Sequence, residues 1–456
     1  MEPVTDALEE ICRRLAGVAD GAVADYIPQL ALADAEAFGL ALVSMDGHRY
    51  QAGDAHTPFT IQSVSKPFVY ALALADLGPD AVAARVGAEP SGEAFNAISL
   101  EPGTGRPANP MVNAGAIVAT SLVRGVDAGE RFERIRACLS AFAGRALDVD
   151  EEVYASEAAT GDRNRALAYL MRAAGALDGD VGEEVDTYFR QCSVRVTACD
   201  LALMAATLAH GGANPVTGEQ VVTEDVATRV MAVMATCGMY DRAGTWLLDV
   251  GLPAKSGVAG GLIAVSPARF GIAVYSPPLD EAGNPVRGVR ALTEVSRRFG
   301  LHMMRPAGRH AVTVTEATTG GKAGAAWSER VRGPEENARL AAEGHRIVLV
   351  AAQGGLEFTE TEQILHAVDV RVPEQPGWIV LDLTRVTAIA QGSAMMLGAA
   401  LAAFARQGHH IVIAAQRDFP APVPDTPSWH TFPDRGAALA WSEDQLLGET
   451  ADFGES

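Results

Sequence analysis

One stretch constrains this chain more than any other: Gln62-Ser63-Val64-Ser65-Lys66-Pro67, followed by an apolar run from Phe68 to Leu77. The run is apolar on nearly every face, so a helix there is buried nearly all round and belongs to the centre of a core. Pro67 fits that helix only within its first turn, where no amide donor is required. Ser63 then stands at the helix N-terminus, where free N–H groups and the dipole favour a developing negative charge. Lys66 follows three residues on, on the same face of one turn and within hydrogen-bonding reach of the serine. The spacing alone arises by chance in many chains, and composition sharpens it. Of 36 Lys+Arg only Lys66, Lys255 and Lys322 are lysines. An ammonium can lose its proton and serve as a base, whereas a guanidinium cannot. Ser63 and Lys66 are the leading nucleophile and base.

At 456 residues the chain exceeds one ordinary core, and two or more domains are expected. The net charge of -21 argues against nucleic acid or an anionic membrane as partner. Met1–Arg14 is acidic and amphipathic, unlike a signal peptide, and the most apolar run, Ala394–Ala405, is too short to span a bilayer. Five cysteines without Cys-x-x-Cys spacing and ten scattered histidines form no zinc-like cluster, so a cytoplasmic location with reduced thiols is expected.

Along the chain, residues 5–33 read as a helix broken near Ile27-Pro28. Leu40–Met45 and Arg49–Ala52 flank Asp46-Gly47 as a hairpin. Ser91–Pro110 reads as loop, Asn113–Val123 as an apolar helix, and 129–236 as mostly helical with breaks at Gly161-Asp162 and Gly211–Pro215. Strand chemistry returns at Gly257–Val265 and Phe270–Tyr275, followed by a helix over Val286–Phe299. Strands near both ends with helices between predict one antiparallel sheet built from distant segments, an α+β fold. Residues 307–343 read as a linker with one short helix. Beyond it, strands at Ile347–Ala351, Trp378–Leu383 and His410–Ala414 alternate with helices at Thr359–Val368 and Ser393–Phe404, a small α/β sandwich over 344–456 with a Pro-rich, then acidic tail that holds one helix near Gly436–Leu447.

A second lysine element, Lys255-Ser256-Gly257, reinforces the first. Serine acylases of the penicillin-binding and β-lactamase type pair Ser-x-x-Lys with such a Lys-Ser-Gly edge strand, whose backbone N–H serves the oxyanion hole. Further stretches carry a closer resemblance: Val23–Leu30, Glu89-Pro90-Ser91-Gly92, Asn109–Ala116, Gly161-Asp162-Arg163-Asn164, Cys237–Asp241 and Gly251–Gly261. With these, residues 20–300 resemble the serine-dependent glutaminases, which share the β-lactamase/penicillin-binding-protein-like fold. The resemblance implies a catalytic domain over 1–306 that hydrolyses L-glutamine to L-glutamate and ammonia through a serine acyl-enzyme. Ser63 would attack the side-chain amide, Lys66 accept its proton, Tyr240 relay a proton to the leaving ammonia, and the N–H groups of Ser63 and Val258 hold the oxyanion. By the same resemblance Tyr26, Gln62, Asn113, Glu157, Asn164, Tyr188 and Tyr240 line the glutamine pocket, with Glu157 set against the substrate's α-ammonium. No metal or organic cofactor is implied, and a homo-oligomer, dimer or tetramer, is.

The second domain resembles the STAS modules of anti-sigma-factor antagonists and anion transporters, through Ile347–Val350, Trp378–Thr387 and Gly408–Ile413. Regulatory members carry a phosphorylated serine before the second helix. Here the stretch is Ala390-Gln391-Gly392-Ser393, so that acceptor is missing or displaced, and a partner-binding, packing or oligomerisation module remains. Two rival functions stand beside the hydrolase. One is a catalytically silent glutamine sensor; the other is a different serine amidohydrolase on the same fold.

Overall fold

The structure, a computed structural model, describes residues 3–91, 100–101, 103–305, 313–321, 326–356, 358–415 and 428–449. Parts of the expected 91–110 loop, of the linker with Lys322, and of the Pro-rich and acidic tail lie outside these residues. The chain divides into two compact units, Met1–Arg305 and Pro306–Ser456.

In the first unit β1 (Gly39–Ser44), β2 (Arg49–Gly53), β5 (Ala254–Ser256), β6 (Gly261–Ser266) and β7 (Phe270–Tyr275) form a sheet in the order β2-β1-β7-β6-β5, antiparallel throughout. Two short strands, β3 (Phe59–Thr60) and β4 (Arg195–Val196), pair separately. Side chains alternate across a strand, so the sheet serves two cores. Leu40, Leu42, Leu262, Ala264, Ile272 and Val274 face Leu8 and Ile11 of the helix Pro3–Leu15 and Leu292 and Val295 of the helix Val286–Phe299. Ala41, Val43, Ile263, Val265 and Ala273 face the helical side, where the helices Lys66–Leu77 and Ala198–Ala209 are buried. That packing is close. A Cβ on Gly271 would stand 2.0 Å from the Ala206 nitrogen, so β7 tolerates only glycine there.

The first unit is therefore an α+β fold with an antiparallel sheet of distant segments. Two sequence readings need correction. The helix expected over residues 5–33 ends at Leu15, because Gly21 takes a left-handed φ of 93° and Ala22 pairs with Leu279 as an extended bridge. The strand expected over Gly257–Val265 is instead a turn followed by β6. The Gly257 N–H donates to the Gly261 carbonyl at 2.8 Å and Gly260 has φ 99°, so Lys255 sits on its own short edge strand, β5.

In the second unit β8 (Val314–Thr319), β9 (Ile347–Leu356), β10 (Trp378–Ile389), β11 (His410–Ala414) and β12 (Trp429–Phe432) form a sheet in the order β12-β11-β10-β9-β8. It is parallel except for β8, which pairs antiparallel with β9. Alternate residues again split, with Val348, Ile379 and Ile411 in one core and Leu349, Val380 and Val412 in the other. The stretch read as linker thus contributes β8 and the helix Pro334–Glu343. Its Thr-rich composition hides a half-buried edge strand. The tail similarly contributes β12.

Candidate active site

Ser63 belongs to a 3-10 turn, Gln62–Ser65, that runs directly into the helix Lys66–Leu77, with Pro67 in its first turn. In a 3-10 turn residues i and i+3 eclipse, and Lys66 Nζ accordingly lies 2.7 Å from Ser63 Oγ. The turn starts from strain, since Gln62 has φ 48° although it is not glycine. Tyr240, which begins the short helical turn Tyr240–Arg242, is also left-handed, with φ 55°.

Around this pair, four helices each deliver one side chain. Asn113, first residue of the helix Asn113–Ser121, accepts from Lys66 Nζ at 2.7 Å through Oδ1 and donates through Nδ2 to Asn164 Oδ1 at 3.0 Å. Asn164 is on the helix Asp162–Ala173. Tyr188, on the helix Val181–Cys192, donates to Asn113 Oδ1 at 3.4 Å. Glu157, on the helix Glu151–Thr160, accepts from Gln62 Nε2 at 3.2 Å.

Tyr26, Gln62, Ser63, Asn113, Glu157, Asn164 and Tyr188 line one pocket of about 250 Å³, and Thr160, Gly161 and Arg163 complete its wall. Tyr26 leaves 52 % of its surface exposed. Its phenol is nevertheless held well above its ordinary pKa, by burial first and Glu157 second. Lys66 and Tyr240 are buried among this group without lining the pocket. Val258 is the one proposed site residue set apart. It lies in the turn between β5 and β6 and lines a neighbouring cavity that Tyr26 also borders. The turn itself abuts the nucleophile's turn, for a Cβ on Gly257 would stand 3.1 Å from the Ile61 carbonyl oxygen.

Burial decides the electrostatics. It pulls the Lys66 ammonium down to about 8 and pushes the Glu157 carboxyl up to about 7, against the hydrogen bond from Gln62. It also pushes the Tyr240 phenol up to about 12, with hydrogen bonding to Ser63 and Ser256 opposing. Lys255 is held well below its ordinary value by burial and then by the charge of Lys66. Its Nζ lies 2.7 Å from Tyr240 Oη and 2.6 Å from the Ser256 carbonyl oxygen. The lysine motif had drawn attention to Lys255, yet only the fold places it behind Tyr240. Cys192 is also part of the site, fully buried beside Glu157, Tyr188 and Lys66. No pattern in the sequence distinguishes it from the other four cysteines. Among the described residues no disulfide forms, and no group of three or more His, Cys, Asp or Glu is placed to hold a metal ion.

A serine on a tight turn, a buried amine beside it and an amide- and carboxylate-lined pocket suit attack on a small polar amide. Comparison with known proteins supplies the family. A model described as Glutaminase matches residues 21–304. The chain belongs to the glutaminase family. Over its whole length it is 41% identical to Glutaminase 1 of Bradyrhizobium diazoefficiens, of which it spans 75%. The glutaminase of Nostoc sp. is 50% identical over 66% of this chain and 90% of its own length. Among solved structures, Mglu in its glutamate form aligns over 92% of this glutaminase and 100% of its own chain, with TM-score 0.78 and 37% identity. A probable glutaminase from Bacillus subtilis complexed with 6-diazo-5-oxo-L-norleucine aligns over 67% and 97%, with TM-score 0.62 and 34% identity.

Proposed function

We propose that this glutaminase hydrolyses L-glutamine to L-glutamate and ammonia through an acyl-enzyme on Ser63. The observation that carries the serine mechanism is the 2.7 Å contact between the buried Lys66 amine and Ser63 Oγ, at the pocket that also holds Glu157. Neutral Lys66 keeps one N–H on Asn113 and takes the Ser63 proton on its lone pair while Oγ attacks the amide carbon. The carbonyl oxygen becomes an oxyanion held by the N–H groups of Ser63 and Val258. As the C–N bond breaks, the departing amide nitrogen takes a proton from the Tyr240 phenol and leaves as ammonia, and the proton that Lys66 took from Ser63 replaces it on Tyr240, leaving Lys66 neutral. A water then attacks the acyl carbon, gives its proton to Lys66, and the ester bond breaks as Ser63 is reprotonated. A phenol at about 12 is a donor rather than an acceptor near neutrality, which favours Lys66 over Tyr240 as first acceptor.

Glu157 meets the substrate's α-ammonium, while Tyr26, Asn113, Asn164 and Tyr188 supply donors for the α-carboxylate. The relatives named for glutamate and for a glutamine-like diazoketone support this reading. The set calls for no cofactor. The Ser63→Ala variant, folded by its melting profile, is expected to release no ammonia from L-glutamine. Retained turnover would falsify the serine mechanism.

For the second unit we carry forward a STAS-like, partner-binding role. Its support is the largely parallel sheet with an antiparallel edge strand and the helices that follow β9 and β10. Ser393 is buried, which leaves the phosphorylation switch without an accessible acceptor there. A cytoplasmic, homo-oligomeric enzyme remains the accompanying proposal; no helix among the described residues is long and apolar enough to cross a membrane.

A further inference from the structure

Behind the nucleophile's turn lies a row of buried polar side chains that touches neither substrate nor proton path. Thr120, on the helix Asn113–Ser121, donates to Gln191 Oε1 at 2.8 Å, with the Ala116 carbonyl oxygen as a second acceptor at 2.9 Å. Gln191, on the helix Val181–Cys192, donates through Nε2 to Ser65 Oγ at 2.9 Å. Ser65 donates to the Gln62 carbonyl oxygen at 2.8 Å. All three side chains are 0% exposed, and Gln62 is the residue with φ 48°.

The Gln191 amide bridges the two hydroxyls, its oxygen 2.8 Å from Thr120 Oγ1 and its nitrogen 2.9 Å from Ser65 Oγ. Ser65, receiving a proton on its oxygen, turns its own O–H to Gln62. A non-glycine residue in the left-handed region is strained by about 1–3 kcal/mol and persists only where its surroundings over-determine it. The peptide so held joins Gln62 to Ser63. Its nitrogen is the Ser63 oxyanion donor, and its two flanking side chains are the nucleophile and the amide that contacts Glu157.

We propose that Ser65, Gln191 and Thr120 are positioning residues that lock the Gln62–Ser63 peptide in its left-handed, reactive geometry. The inference rests on Ser63 as nucleophile. Without the row, the Gln62 carbonyl loses its side-chain donor and the turn relaxes, moving Ser63 Oγ and N–H off the amide carbon. The pocket walls at Tyr26, Asn164 and Tyr188 are untouched.

The test compares Ser65→Ala, Gln191→Leu and Thr120→Val with the parent full-length enzyme, measuring kcat, KM and melting temperature. A tenfold loss or more is expected for Ser65→Ala, since an ångström of misplacement is worth about 100-fold in rate. The loss in kcat is expected to fall in the order Ser65→Ala, Gln191→Leu, Thr120→Val, with KM moving less than about threefold. Thr207→Val serves as a matched control. It deletes a buried hydroxyl bonded to the Leu203 carbonyl, away from the site, and is expected to lower the melting temperature with kcat unchanged. If the three variants lose stability as the control does and keep kcat within twofold of the parent, the positioning role is overturned and the row is core packing only. Ser63→Ala run in parallel separates the two readings, because its retained activity sinks the nucleophile itself, whereas its inactivity with unimpaired row variants sinks only this inference.

Discussion

Two residues of the site, Gln62 and Tyr240, occupy the left-handed backbone region without being glycine, and they flank the same hydroxyl. Strain stored at that position aims a side chain that relaxed backbone would point elsewhere. The titrating groups then set a pH profile. As the proposed base, Lys66 acts only when neutral, so activity is expected to appear as pH rises through its pKa of about 8. As the proposed partner of an α-ammonium, Glu157 acts only when ionised, so binding is expected to weaken as pH falls through about 7. Both act on the acid side, and kcat/KM for L-glutamine is expected to climb from pH 6 to pH 8. A flat profile across that range would contradict both assignments. Tyr240→Phe removes the proton donor and is expected to lower kcat by about 100-fold or more. The acid limb, belonging to Lys66 and Glu157, is expected to stay where it was. Among residues, the contact between Ser63 and Lys66 was legible from the sequence, because their spacing and the scarcity of lysine mark them. Cys192 and the Ser65–Gln191–Thr120 row were not, since ordinary buried polar residues carry no pattern until the fold brings them together.

Arg287 ties separate elements together. It sits fully buried on the helix Val286–Phe299 and donates to Ser276 Oγ at 3.0 Å, to the Glu36 and Ala37 carbonyls at 3.2 Å each, and to the Ala35 carbonyl. One guanidinium thereby satisfies the backbone just ahead of β1 and the end of β7. Replacing Arg287 with Met leaves Ser276 Oγ and the Ala37 carbonyl buried without this donor and is expected to cost about 3 kcal/mol, read as a lowered denaturant midpoint. Arg287→Lys is expected to restore little, because an ammonium lacks the planar fork that reaches several carbonyls at once. Elements themselves were legible where periodicity was strong, as in the 39–53 hairpin and the helices Lys66–Leu77 and Val286–Phe299. They were misread where glycine set the backbone, at Gly21 and at the 257–260 turn, and where β8 is only half-buried on either face.

At the scale of the whole molecule, the division at Arg305 leaves the entire pocket, both cores of the β1-containing sheet and the matched 21–304 region within the first unit. Residues 1–305 alone are expected to fold and to keep kcat/KM within about threefold of the full chain, as a self-contained domain does. Ammonia release and a calorimetric melt on the two lengths check this. A large loss would make the second unit part of the catalytic apparatus. The sequence by itself determined the Ser63–Lys66 pairing, the family likeness and the alternation of elements, because these depend on residues near one another in the chain or on long matching stretches. Only the tertiary structure decided which polar groups meet: Lys255 behind Tyr240, Gln191 behind Ser65, and the strained peptide that begins Gln62-Ser63-Val64-Ser65-Lys66. Burial does this, since removing water makes each contact obligatory and shifts the pKa values on which the chemistry runs.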